Sequence, residues 1–167
     1  MTFIGVVSEH KSFERIKEKL RKKESEVIHI NRRSIENIKN VKFEMLIIDS
    51  DLESFNKEKN IMEQVCLNSK YLIINTDINS KFKISDKSKA NIITYGLNQK
   101  ATVTISSITD TNILIYLQRN IKNIEDKLIE VGEKQIRLDS KSKLKTYEIL
   151  IIYIIFLINN NCIILQT

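Results

Sequence analysis

The chain contains 167 residues, of which 42% are hydrophobic and 29% are charged. This balance is typical of a folded, soluble protein and excludes an intrinsically disordered chain. The net charge of +6 is not gathered on one segment, because the densest basic run, Lys17–Lys23, also contains Glu18 and ends a predicted helix. Cations in that position complement the helix dipole, so the sequence disfavours nucleic acid as a partner.

The first half of the chain alternates apolar strands with amphipathic helices. Thr2–Ser8 is a β-branched run typical of a strand buried on both faces. Ser12 is predicted to cap a helix whose apolar face is Phe13, Ile16 and Leu20. This order predicts an α/β fold with a mostly parallel sheet and flanking helices, Rossmann-like and three-layered. Further strands are predicted at 26–30, 43–49, 70–77 and 91–96. A further helix is predicted at 55–69, with Ile61, Met62, Val65 and Cys66 on its apolar stripe.

The sequence pattern changes after Gly96. Residues 101–108 alternate apolar and polar side chains, and 112–121 and 127–139 continue in the same manner, which indicates strands with one buried face. Gly96 is therefore interpreted as the junction where the chain turns sharply from a parallel core into an antiparallel β-hairpin region. One domain over 1–167 is predicted, with an atypical strand-helix-strand unit (1–42), a parallel core (43–100), an antiparallel extension (101–139) and a closing apolar helix (144–165).

The C-terminal part contains ten uninterrupted apolar residues, Ile149–Ile158, followed by Asn159–Asn161. A membrane span needs roughly 20 predominantly apolar residues, so a buried core helix is predicted. The alternative is a tail-anchored protein that a membrane holds through 149–165, since the basic stretch KSKLK precedes the apolar run.

Cysteine usage and the N-terminal sequence give an expectation about location. Cys66 and Cys162 form no CxxC motif and have apolar neighbours, which predicts buried free thiols in a reducing compartment. No basic region precedes the short apolar run at the N-terminus. A cytoplasmic location is therefore expected.

Loops that bind phosphate are missing from the sequence. Its 3 glycines are widely separated, so neither G-x-x-x-x-G-K-[ST] nor G-x-G-x-x-G is present. No His/Cys pair has zinc-ligand spacing, no nucleophile elbow is present, and no cofactor is predicted. The sequence thus does not favour an enzymatic activity.

Polar side chains follow the predicted strands at their carboxyl ends, where open parallel sheets bind ligands. Asp49 and Asp51 follow the third strand, Asp77 ends the fourth, and His10 follows the first. Such residues also serve as turn residues and helix caps. They are ligand-binding candidates with no ligand assigned.

Residues 43–158 resemble the end of the central domain of the bacterial Mur ligases, the ATP-dependent amide-bond-forming enzymes of peptidoglycan assembly. The stretches that carry the resemblance are FEMLIIDSDLESF, YLIINTDI, NIITYGLNQKATVTISSI and KTYEILIIYIIFLI. Asn75 and Asp77 match the family's V-I-N-x-D-D strand end, and Tyr95 matches its T-Y-G strand. The resemblance implies that Asn75, Asp77 and Tyr95 are ligand-binding candidates.

The chain departs from that family at the nucleotide site. The G-T-x-G-K-[ST] loop has no counterpart, because an unrelated strand-helix-strand unit precedes Phe43, and Leu52 stands where the family has the His of its D-H pair. Without the loop amides and their Lys, nothing neutralises a triphosphate. The resemblance thus implies a non-catalytic binding or interaction module linked to cell-wall metabolism, whose partner is a protein or a small molecule.

A second resemblance is to the receiver domains of response regulators. MLIIDSD is similar to their third strand, with Asp49 as the phosphoacceptor, and Thr76 matches their switch position. The acidic pair that holds Mg²⁺ is reduced to Ser8-Glu9, and 101–139 has no place in that fold. A degenerate phosphosensor or a metal-dependent enzyme that uses the acidic strand ends is the alternative function.

Overall fold

The computed structural model describes residues 2–21, 25–83, 85–139 and 142–160. The chain divides into two compact units, Met1–Ile92 and Ile93–Thr167. The single domain expected for 1–167 stays a prediction.

The first unit is a parallel β-sheet with helices in its crossovers. Its elements in chain order are β1 (Thr2–Val7), α1 (His10–Leu20), β2 (Ser25–His29), α2 (Ile35–Ile38), β3 (Phe43–Ile48), a 3₁₀ segment (Leu52–Glu58), α3 (Lys59–Leu67) and β4 (Ser69–Asn75). The strands lie in the order β2-β1-β3-β4, and each neighbouring pair is parallel. From β1 the chain crosses to β2 on one side, and from β2 it crosses to β3 and then β4 on the other side of β1. β1 and β3 therefore flank a topological switch point of the sheet.

The core of this unit uses both faces of the sheet. Leu46 and Ile48 of β3 lie in one cluster with side chains of α2 and α3. Met45 and Ile47 are also fully buried, and strand alternation points them to the opposite face. Right-handed crossovers place α1 on that opposite face. The predicted helix-covered parallel sheet is thereby explained.

α1 begins earlier than the sequence predicts. Its apolar face is confirmed, since all three predicted residues are buried. The predicted cap is wrong, because the helix starts at His10 with Glu9 in the N-cap position, and Ser12 lies inside the first turn. The chain enters the helix within two residues of the end of β1. The buried Ser12 hydroxyl has no hydrogen-bond partner in the part of the chain that the structure describes.

The helix predicted at 55–69 forms in two pieces. The 3₁₀ segment breaks at Phe55, whose φ of −97° and ψ of 25° are non-helical, and α3 follows from Lys59. Met62, Val65 and Cys66 of the predicted apolar stripe are buried in α3. The stripe is confirmed, although its first turns are not α-helical.

The second unit begins within β5 and continues as an antiparallel sheet. Its elements are β5 (Asn91–Tyr95), β6 (Val103–Ile108), β7 (Asn112–Leu117), β8 (Ile121–Lys122), β9 (Leu128–Ile129), β10 (Gly132–Arg137) and α4 (Thr146–Ile158). β5 pairs with β6 in parallel, whereas the β6–β7 and β7–β10 pairs are antiparallel. β8 and β9 form a separate small hairpin. The predicted α/β class, with a parallel sheet, an antiparallel extension and a C-terminal apolar helix, is confirmed.

Gly96 lies in the bend that follows β5, as predicted, but it is not the junction between the parallel and the antiparallel pairing. No glycine among the described residues has a positive φ, so this position does not use the freedom that only glycine has. Asn98 builds the turn instead, because its Oδ1 accepts hydrogen bonds from the N–H groups of Lys100 at 2.9 Å and Ala101 at 3.1 Å. The change from parallel to antiparallel pairing comes one strand later, at β6.

α4 is buried around almost its whole circumference. Of its 13 residues, 10 are buried, which confirms the predicted core helix. It ends at Ile158 rather than at 165, because the Ile158 carbonyl accepts a tertiary hydrogen bond from the N–H of Ile124 at 2.9 Å and the polar Asn159 follows. Residues 161–165 of the predicted helix, with Cys162, lie outside the described residues. Within the ranges that the structure describes, no helix has the length and apolar character needed to cross a membrane.

Candidate functional site

Asn75 joins the carboxyl ends of β3 and β4. It is fully buried, and its Nδ2 donates a hydrogen bond to Oδ1 of Asp49 at 2.9 Å. Its own Oδ1 accepts a hydrogen bond from the N–H of Asp77 at 3.1 Å. Three of the predicted site residues, Asp49, Asn75 and Asp77, are therefore joined in one hydrogen-bonded network, which we call the strand-end network.

Asn79 belongs to the same network and was missed by the sequence reasoning. Its side chain is 8% exposed, its Oδ1 accepts from the N–H of Leu52 at 3.1 Å, and its Nδ2 donates to the carbonyl of Ser50 at 3.1 Å. The segment after β4 is thus held against the segment after β3. The only sequence signal for this contact is the four-residue spacing of Asn75 and Asn79, which is that of one helical turn. In the structure the backbone nitrogen of Asn79 donates to the Asn75 carbonyl at 2.9 Å.

Asp51 acts on the backbone of the 3₁₀ segment. Its exposed carboxylate accepts a hydrogen bond from the N–H of Glu53 at 2.8 Å, which caps the segment. A carboxylate in this role stabilises the N-terminal turn that follows.

His10 lies in an aromatic cluster at the carboxyl ends of β1 and β2, with Phe13 and His29. The ring of His29 stacks on Phe13 with centroids 4.6 Å apart, and the exposed His10 ring lies 5.6 Å from that of His29. Nε2 of His29 lies 2.9 Å from the carbonyl oxygen of Ser8. Because a carbonyl only accepts, this nitrogen carries the proton, and His29 ties β2 to the end of β1.

Tyr95 is carried by β5 in the second unit. Its ring is fully buried and meets the ring of Tyr147 edge-on, with centroids 6.2 Å apart. Tyr147 lies in KTYEILIIYIIFLI, so two of the stretches that resemble the Mur ligases are in contact here. Their role in binding a ligand stays a prediction, as it does for the strand-end residues.

A groove of about 1030 Å³ runs beside the 3₁₀ segment and α3. Its opposite wall is formed by residues 78–83, 85 and 86, and Asp51 and Asn79 lie on its border. Leu67 and Ile78 are 37% and 44% exposed there and give the groove accessible apolar surface. The principal apolar residues of the groove are Phe55, Met62, Leu67, Ile78 and Phe82.

The rim of the groove carries charges of both signs. Its lysines are Lys59, Lys81 and Lys83. Asp51, Glu53, Glu63 and Asp86 supply carboxylates. A ligand that fits this lining therefore has an apolar body and polar or charged ends.

Cys66 forms part of the apolar floor and is a buried free thiol, as predicted. Burial raises its pKa to about 12, and the negative charge of Glu63 adds to the effect. The thiol is therefore neutral at physiological pH and behaves as a small apolar group.

Metal ligands are not clustered in the part of the chain that the structure describes, since no three His, Cys, Asp or Glu side chains there could hold one ion. No protein-family model matches the sequence, and a search of curated proteins gives no significant match.

Proposed function

We propose that the chain is a non-catalytic binding module with a Mur-ligase-like framework, and that it binds a short peptide segment in the groove beside α3. The observation that carries this proposal is the groove itself, about 1030 Å³ with an apolar floor and a rim of both charges. The link to cell-wall metabolism that the resemblance implies belongs to the same proposal.

The size and lining of the groove support a peptide as the ligand. Pockets for small organic ligands measure about 300–1000 Å³, so this groove accommodates several residues of an extended chain. An apolar side chain of the peptide would remove water from the exposed side chains of Leu67 and Ile78, which favours binding in proportion to the apolar area covered. Lysines and carboxylates on the rim would bind charges at the two ends of the peptide.

The strand-end network supports a rigid wall for this groove. Asn79 borders the groove and is hydrogen-bonded to the backbone on both sides of Asp51. A wall that is fixed before binding loses little conformational freedom when the ligand arrives. Asn75 and Asn79 therefore act in this proposal by shaping the site rather than by contacting the peptide.

Calorimetric titration with 1-anilinonaphthalene-8-sulfonate tests the proposal, because this probe has an aromatic body and one anionic end. Asn56→Trp places a large ring in the groove lining. Asn60→Trp, in the first turn of α3, is the matched control, since Asn60 is also exposed but is not among the residues that line the groove. We expect one saturable binding event that Asn56→Trp weakens at least about tenfold and Asn60→Trp leaves unchanged.

Competition identifies the ligand class in the same experiment. A pool of acetylated tetrapeptides with Leu or Phe in the centre and Lys or Glu at the ends should displace the probe. Binding of the probe that is indifferent to Asn56→Trp would contradict the proposed site. Saturable binding of ATP with Mg²⁺ would instead support a nucleotide-dependent activity and overturn the non-catalytic assignment.

A further inference from the structure

β10 is the outermost strand of the sheet in the second unit. It pairs with β7 on one side, and no strand of the described ranges pairs with its other side. An edge of this kind presents backbone N–H and C=O groups to which another strand can be added. The residues on that edge decide which strand fits.

Hydrogen bonding fixes which backbone groups point outwards. The N–H of Leu138 donates to the carbonyl of Thr111 at 2.8 Å, in register with the β7–β10 ladder, so Leu138 faces β7. Backbone groups alternate in direction along an antiparallel strand. The even-numbered residues of β10 therefore face β7, and the backbone groups of Glu133, Gln135 and Arg137 point away from it.

The side chains at these three positions are exposed and their charges are self-complementary. When β10 of a second copy is laid antiparallel and centred on Gln135, Glu133 of each copy lies opposite Arg137 of the other. Gln135 then lies opposite itself. Registers centred on Glu133 or on Arg137 instead bring two like charges together.

We propose that β10 pairs with β10 of a second copy of this chain, antiparallel and centred on Gln135, so that the sheet continues across a two-fold axis. Each copy contributes the same patch, as a two-fold interface requires. The outward groups at 133, 135 and 137 form about six backbone hydrogen bonds in this register. Two Glu133–Arg137 ion pairs flank them. This pairing does not involve the groove and is independent of the function proposed above.

Charges on an edge strand also serve to prevent pairing. In β10 the charges of Glu133 and Arg137 oppose pairing in the registers that place like charges opposite each other. They favour the one register in which each Glu133 lies opposite an Arg137. In a single copy, Oε1 of Glu133 accepts a hydrogen bond from the Ser106 hydroxyl of β6 at 2.8 Å. The exposed Glu133 side chain exchanges this partner for Arg137 of the second copy when the strands pair. The edge is thus selective rather than blocked.

Charge reversal on the full chain tests the pairing. Sedimentation velocity from micromolar to millimolar protein at low salt should show a reversible monomer–dimer equilibrium. Glu133→Arg and Arg137→Glu should each raise the dimer dissociation constant at least about tenfold, because each places like charges opposite one another. The double variant with both changes should restore dimerisation, since the matched pairs return in reversed order. High salt should weaken the dimer, because the ion pairs are exposed.

Gln135→Pro provides a second test that depends on the backbone alone. The N–H of Gln135 points away from β7, so proline removes no bond of the existing ladder and is placed where edge strands accept it. We expect this variant to remain folded, with an unchanged circular dichroism spectrum, and to be monomeric. A wild-type chain that stays monomeric at millimolar concentration would overturn the proposal. A dimer that is unaffected by both the single charge reversals and Gln135→Pro would place the interface elsewhere and overturn it equally.

Discussion

Asn75 has no exposed surface, and it uses both ends of its side-chain amide. A buried polar group of this kind stabilises a fold only while all its partners remain. The sequence located Asn75 at a strand end and suggested a ligand for it. The structure shows that its nearest partners belong to the chain itself.

Asn75→Ala should lower the free energy of unfolding by about 2–3 kcal/mol, because it leaves the Asp77 N–H and the Asp49 carboxylate without this partner. Urea denaturation measures the loss. Asn37→Ala, on the exposed side of α2, is the control and should change stability by less than about 0.5 kcal/mol. Equal losses in the two variants would show that the strand-end network contributes nothing.

Cys66 gives a prediction about pH. Its pKa is raised to about 12 from an ordinary value of 9.0, so the folded chain holds the thiol neutral where an unfolded chain begins to ionise it. Below pH 9 the stabilisation linked to this group is fully present, and it is lost as the pH rises towards 12. At pH 8 we therefore expect Cys66 in the native chain to react with iodoacetamide at least about a hundredfold more slowly than in urea.

Peptide mapping by mass spectrometry measures this reaction at Cys66 separately from Cys162. The native rate should stay low at each pH up to 9, since the folded pKa lies well above that range. A native rate that equals the rate in urea would contradict both the burial of Cys66 and its place in the apolar floor.

At the scale of elements, β1 shows what close packing demands. A Cβ at Gly5 would lie 2.7 Å from Cδ1 of Ile30 and 3.0 Å from Cδ1 of Leu46, whereas a Cβ at Gly132 would meet nothing within 4 Å. Both glycines lie in strands and neither has a positive φ. The pair therefore compares a glycine that is tightly packed in a central strand with one that has open space in an edge strand.

Gly5→Ala should destabilise the chain by about 1–3 kcal/mol, because the added methyl group overpacks the core between β1, β2 and β3. Gly132→Ala should be neutral or stabilise by about 0.5 kcal/mol, since alanine restricts the unfolded chain and meets no neighbour. Thermal unfolding followed by circular dichroism gives both values. A destabilisation by Gly132→Ala as large as that by Gly5→Ala would show that strand propensity, not packing, decides.

Hydrophobic periodicity predicted the helices and strands that are buried either on one face or on every side. Hydrophobic burial explains the apolar runs at 43–48 and 149–158 and the apolar face of α1. The order of apolar and polar residues in the sequence predicts burial of this kind. The helix starts and the turn after β5 depend on side-chain hydrogen bonds such as those of Asn98. Those bonds join groups chosen by local geometry, and one sequence does not reveal which Asn or Ser makes them.

The same distinction holds for the candidate site. The positions of Asp49, Asn75 and Asp77 could be predicted, because consecutive parallel strands end at one edge of the sheet. The groove could not, since it depends on how residues 78–83, 85 and 86 lie against α3, and no periodic pattern encodes that arrangement. Asn79 was missed for the same reason.

At the scale of the whole molecule, the central claim is that the groove beside α3 is where the chain binds its ligand. The chain has 3 methionines. Met62 lies in the groove lining. Met45 of β3 is fully buried and points to the face of the sheet opposite to the one that packs against α3. Their ¹³C-labelled methyl groups therefore report on the groove and on an internal control.

Methyl NMR during titration with the tetrapeptide pool measures this claim directly. We predict a saturable shift of the Met62 methyl signal while that of Met45 stays within its linewidth. A titration in which the peptides bind but the Met62 signal does not move, or in which only ATP with Mg²⁺ shifts any methyl signal, would contradict the claim.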